Sequence, residues 1–440
     1  MFLTILCALA NASMVAGALS PSDNNLTSVD KIRNGMPLIV KETPGSDIVS
    51  LTVTFMTGSA DTSFNRRAIN QLALESMTYS SKSFSKQKIF ALTEKYSIGL
   101  DCSGGVEVSQ CAVSTIIDYL PQAIDLLAAI TLEPSFNKDD VKLAKQQRIA
   151  DFQQQIQNPE SQVNNVVNSI FYDQQHPYRL LPEDGVKQTQ EITNDDLKSY
   201  HHSLLDSSKM FLTYAGPKLT NAARSRLDNK FNKITNRKTP DKIVVAPSYD
   251  PTKKIAFEHR QIPTAYIRLK FNAPSVTAKD AAAADIMFEL LSERLQEEIR
   301  TKRSLSYAVY AGTVQYSQGI GIISVSTSKP KETIDAMTSV IKTFKERGVT
   351  QDELNEQRNV FTTSYFLTLE SQGSLAGALA SFQNYFGDAR QLYNLPTRLS
   401  AVSISDIGRI AKDYLKNFRV GVVYDKEKFD AKWLTQLEKL

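Results

Sequence analysis

The stretch that runs from Gln147-Arg148 through Glu160-Ser161-Gln162, Thr193 and Asp196 to Tyr214 is met again 210 positions later. There it reads Gln357-Arg358, Glu370-Ser371-Gln372, Ser403, Asp406 and Tyr424. Two unrelated helix-rich segments would share an apolar period, but not the order of their polar residues, so the shared register reads as a duplication. Working outward from it, each copy opens on β-rich runs, Ile48 to Phe55 in the first and Ala265 to Phe271 in the second. Amphipathic helical stretches follow around 65–80, 84–97, 119–132 and 138–173 in the first copy, then a helix near 194–206 and a closing strand Met210 to Tyr214. The fold class is therefore α+β, two homologous repeats, each a mainly antiparallel sheet covered by helices. The first repeat is expected over 25–217, a polar linker over 218–241 and the second repeat over 242–440.

A chain of 440 residues exceeds what one core supports, in line with two units. Apolar residues at 42% and charged residues at 22% exclude a mainly disordered or fibrous chain. A net charge of +4 from 51 basic and 47 acidic residues gives no concentrated footprint for nucleic acid, so no nucleic-acid partner is expected. Residues 2 to 18 carry no charge and end on Ala16-Gly17-Ala18, the small-x-small pattern of a cleaved export signal. Cleavage after Ala18 is the first expectation, with Ala12 as the other option. The product would be periplasmic or extracellular, without stable membrane insertion. Cys102 and Cys111 then remain, and a hairpin centred on Val106-Glu107 would set them opposite each other, either as a disulfide or as two buried thiols. Four histidines, His176, His201, His202 and His259, leave few ways to hold a transition metal.

With Gly58-Ser59-Ala60 ahead of a helix and His176-Pro177-Tyr178 about 120 residues on, the duplicated unit resembles the pitrilysin/insulinase family of zinc peptidases, over essentially the whole mature chain. The resemblance implies paired halves that close as a clam-shell around an unfolded peptide. The family's chemistry sits in H-x-x-E-H on a helix, two histidines on zinc and a glutamate that activates water. The matching stretch here is Leu72-Ala73-Leu74-Glu75-Ser76. Leucine has no donor atom and a serine hydroxyl is a poor zinc ligand; the third ligand position, counted along the motif, falls on Gln153, a weak amide. Glu75 is left as a relic base or as an ordinary helix glutamate that is solvated or hydrogen-bonded. No metal ligand set and no cofactor are expected on this chain.

The second repeat keeps the other half of the family's site. Arg300 and Tyr307, in Arg300-Thr301-Lys302-Arg303-Ser304-Leu305-Ser306-Tyr307, have the spacing of the family's substrate-contacting arginine and tyrosine, although Ser304 replaces the usual glycine. In the family these two reach across the chamber to a peptide beside the zinc of the opposite domain, and both are donors suited to an oxyanion. On the residues alone they could equally be a helix-end arginine and a packed strand tyrosine. The expectation is a subunit inactive by itself. It would pair as a heterodimer with a zinc-bearing homologous peptidase subunit and lend Arg300 and Tyr307 in trans to peptide hydrolysis, with the zinc held by the partner. The alternative is a structural or peptide-binding chamber protein with no part in hydrolysis.

Overall fold

The computed structural model describes residues 26–240 and 252–440. The expected export segment 1–18 lies outside the described residues. The first repeat builds a six-stranded sheet from β1 (Thr27–Lys31), β2 (Pro37–Glu42), β3 (Ile48–Phe55), β4 (Gly99–Gly104), β5 (Ser109–Ile116) and β6 (Met210–Gly216), in the order β1-β2-β6-β3-β5-β4. The second builds a five-stranded sheet from β7 (Ile255–His259), β8 (Ala265–Ala273), β9 (Ala308–Val314), β10 (Gly319–Thr327) and β11 (Arg419–Tyr424), in the order β7-β11-β8-β10-β9. In both, the last strand returns to the middle, parallel to one neighbour and antiparallel to the other. Two copies of one topology confirm the duplication.

The register of the copies is not constant, however. The caps Thr193 and Ser403, each bonded to the aspartate three residues on, do stand 210 positions apart. The caps Asn137 and Thr350, and Asn158 and Ser371, which start two earlier helices of each repeat, stand 213 apart. Side chains confirm the longer offset: Lys145 Nζ donates to the carbonyls of Gln190 (2.8 Å) and Ile192 (2.9 Å), and Arg358 makes the same clamp on Ser400 and Val402. The second repeat has lost three residues before its last helix. Consequently Gln147-Arg148 and Glu160-Ser161-Gln162 match Gln357-Arg358 and Glu370-Ser371-Gln372 in letters but sit almost one helical turn away in space.

Each sheet buries both faces, which explains why β3 is buried at every position but its first. One face meets the repeat's own helices. The other is covered by a helix lent by the opposite repeat. Helix Pro159–Phe171 leaves the first repeat and sets Val163 and Val166 against Val423 of β11. Contact is so close that a Cβ on Gly421 would stand 2.7 Å from the Val167 nitrogen. Reciprocally, helix Gln372–Phe386 places Leu375, Ala376, Leu379 and Ala380 on Ile39, Phe211 and Ala215 of the first sheet. The two repeats therefore face each other as an interlocked pair.

The segment read as a polar linker, 218–241, is in part structured. Residues Asn221–Phe231 form a helix whose Ala223, Leu227 and Phe231 are buried in the first core. Spacing by four among basic and amide residues hid that apolar stripe. No helix among the described residues is long and apolar enough to cross a membrane.

Candidate functional site

Helix Ala68–Met77 lies against the edge strand β4, and its start is tied down by Arg67, whose guanidinium donates to the carbonyls of Gln175 (2.6 Å) and Arg179. Leu72 is 0% exposed and belongs to the first core. Ser76 is 1% exposed, and its hydroxyl is spent on the Leu72 carbonyl at 2.7 Å. Gln153, on the facing helix Lys138–Gln157, is exposed. None of the three offers an available strong donor, so these residues do not fit a zinc ion. Glu75 is half-buried, and its Oε2 accepts from Arg148 Nη2 at 2.8 Å. The cation it faces is thus a guanidinium, itself 3.5 Å from Asp151 and 6.0 Å over the Phe152 ring. In this structure Glu75 is a hydrogen-bonded, ion-paired helix glutamate. Arg148 went unread as its partner, because a contact between two helices leaves no mark in the local pattern.

The histidines are dispersed. His176 is buried, stacked on Tyr172 at 4.7 Å, with Nδ1 accepting from the Tyr178 amide. His201 is buried and bonded to the Thr131 carbonyl at 2.8 Å. His202 meets Arg237, and His259 accepts from the Lys426 amide. Among the described residues no group of three His, Cys, Asp or Glu is placed to share a metal.

Arg300 and Tyr307, by contrast, are brought together. Helix Ala281–Leu295 widens into the π-helical turn Gln296–Lys302, which presents Arg300 at the surface. The chain then reverses through Ser304 at φ +50°, closed by the Leu305 amide on the Ile299 carbonyl at 2.8 Å, and enters β9 one residue after Tyr307. The positive φ is why a glycine suits this position; serine makes the same turn at a cost. The Arg300 guanidinium lies 4.6 Å over the Tyr307 ring. Lys302 and Arg303 are taken up by Glu297 and Glu298, while Arg300 makes no ion pair among the described residues. Tyr307 is 83% exposed, the most of any large apolar or aromatic side chain described. Two donors thus stand paired and open to solvent at the edge of the second sheet.

The β4–β5 hairpin turns at Val106-Glu107, and Cys102 and Cys111 pair across it as a disulfide. Its tip carries a residue that the sequence reading passed over. Glu107 accepts from the Tyr178 hydroxyl, from the Tyr385 hydroxyl at 2.8 Å and from the Ser317 amide at 3.0 Å, and so joins the first repeat to two elements of the second. Gly58, three residues past β3, is needed beneath this tip, since a Cβ there would stand 2.1 Å from the Val106 oxygen. An acid inside a turn reads as solvated until the tertiary contacts are known.

Comparison with known proteins follows the same division. Residues 38–183 match the family described as insulinase (peptidase family M16), and residues 191–361 match the one described as peptidase M16 inactive domain. The non-peptidase homolog YmxG of Helicobacter pylori is 21% identical over 393 residues, covering 87% of this chain and 88% of that protein. The crystal structure of a peptidase M16 inactive domain from Pseudomonas fluorescens superposes with a TM-score of 0.82 at 18% identity, over 91% of this chain and 98% of that one. The periplasmic protease PqqL from Escherichia coli superposes with a TM-score of 0.77 at 13% identity, over 91% of this chain but 46% of that one.

Proposed function

Because the chain belongs to the insulinase (M16) peptidase family and has no histidine at either metal position of its motif, we propose that it is a zinc-less subunit working with a zinc-bearing homologue. In that pair it supplies Arg300 and Tyr307 to the peptide held against the partner's site. The carrying observation is the exposed Arg300–Tyr307 stack on a chain whose own glutamate is committed to Arg148. The guanidinium and the phenol are exposed donors stacked on each other, and a donor directed at a scissile carbonyl contributes most as charge develops on its oxygen. The length relation to PqqL supports pairing: one such protein holds room for two chains of this size. A substrate peptide would add as a strand to a free sheet edge of the assembled chamber. Export is part of the proposal, supported by the Cys102–Cys111 disulfide, a bond that persists in oxidising compartments.

The test is co-expression with a zinc-bearing homologue, purification of the complex, and steady-state peptide turnover for Tyr307→Phe, which removes one hydroxyl and little volume. Turnover should fall by about 10²–10³-fold through kcat, with the complex mass unchanged. An undiminished kcat, or failure of the two chains to associate, would overturn the proposal, the former in favour of a structural role.

A further inference from the structure

A cavity of about 500 Å³ opens on the first repeat and shares no residue with the Glu75 or Arg300 groups. Helices Leu120–Leu132 and Asn221–Phe231 line it, and Phe84, Leu132, Leu205 and Ile234 contribute the apolar part of a mixed lining. Its mouth is cationic. Lys233 and Arg237 stand there without an ion pair among the described residues, and Arg237 Nη2 is 3.1 Å from the His202 ring. Of the two carboxylates on the lining, Asp125 is occupied by Arg226 and by Lys230 at 3.0 Å, which leaves Glu133, exposed at the end of its helix, against the two free cations.

The segment that carries Arg237 is preset. Asp206 accepts from the Arg237 amide at 3.0 Å, from the Ser208 amide at 2.9 Å and from the Thr239 hydroxyl, and these hydrogen bonds outweigh its burial to hold the carboxyl well below the usual range. The opening is therefore built without a ligand's help, as small-molecule sites commonly are. Leu415 ends its helix as Leu205 does in the first repeat, but Lys345 Nζ takes the Leu415 carbonyl at 3.0 Å and the Leu440 carbonyl at 2.6 Å. The terminal segment Ala431–Lys439 then buries Leu434 and Leu437 in the second core. Helix Asn221–Phe231 likewise buries Ala223, Leu227 and Phe231 in the first core.

We propose that this cavity binds a small amphipathic monocarboxylate, with its apolar part on Leu132, Leu205 and Ile234 and its carboxylate between Lys233 and Arg237. Among the described lining residues, two cations without an ion pair face one acid, a surplus of about one charge that suits a monoanion, and the planar guanidinium fork matches a carboxylate. The apolar part of the lining requires an apolar portion, so a bare anion is not enough.

Octanoate is the probe, titrated into the full chain and followed by calorimetry and by saturation-transfer NMR, with octylamine and acetate as controls. Octanoate should saturate the protein, and acetate and octylamine should not. Lys233→Ala with Arg237→Ala should raise its Kd by about tenfold or more, and Ala129→Phe, which fills the cavity, should abolish binding. No saturation by octanoate below about 10 mM, or octylamine or acetate binding as well as octanoate, would refute the site. The control ligands on the unaltered chain keep the test decisive even if a variant fails to fold.

Discussion

Replacing Lys270 by methionine measures what a buried amine costs at the contact between the exchanged helix and the second sheet. Lys270 lies on β8, is 5% exposed, and donates to Asn168 Oδ1 of helix Pro159–Phe171 at 2.6 Å, with the Tyr172 ring 5.8 Å away. Burial, and secondarily the neighbouring Arg268, pushes the amine down to about 7 from 10.5. Since the folded value is depressed, the penalty for burying the ammonium is fully present below pH 7 and is relieved as the pH rises towards the unfolded value. Between the two the unfolded chain binds one proton more, so stability should climb by up to about 1.4 kcal/mol per pH unit. From pH 7.5 to 9.5 that amounts to about 2 kcal/mol from this group alone. Methionine keeps the apolar stem and has no charge to bury. Urea unfolding at the two pH values, for both proteins, isolates the effect as a double difference: the parent should gain about 2 kcal/mol relative to Lys270→Met. At pH 7.5 the variant should also be the more stable of the two. Parallel pH profiles would refute the reasoning and would mean that the amine reaches solvent or a carboxylate on its charged side.

Two further substitutions probe the frame that holds the site. Glu107→Ala leaves the hydroxyls of Tyr178 and Tyr385 and the Ser317 amide without their shared acceptor, and should cost about 2–4 kcal/mol in chemical unfolding. A loss below about 0.5 kcal/mol would show that the hairpin tip does not join the repeats. Ser304→Gly relieves a non-glycine residue at φ +50° and should raise the thermal midpoint, through about 0.5–1 kcal/mol, without moving Arg300 or Tyr307. A lower midpoint would count against strain at this turn.

By itself the sequence determined the duplicated α+β class, the strands at 48–55, 210–214 and 265–271, most helices of the first repeat, the lack of histidine at positions 72 and 76 and the Arg300–Tyr307 spacing. Each of these is written in local period, in residue chemistry or in a short run of neighbours. Leu72 has no donor atom in any fold, and Val106-Glu107 turns the hairpin that aligns Cys102 with Cys111 wherever that hairpin packs. Other features belonged to the tertiary structure, because they rest on contacts between residues far apart in the chain. The pairing of Glu75 with Arg148 spans two helices. The exchange of helices Pro159–Phe171 and Gln372–Phe386 could not be read from their apolar stripes, which say that a face must be buried but not against which sheet. A three-residue change of offset in the second repeat was masked for the same reason, since letters that repeat every 210 positions can fall on different helical turns once a loop has shortened. Glu107 and the cavity mouth at Lys233 and Arg237 are charged residues that look solvated in a string. Only the packing shows which charges have found partners and which still face open space.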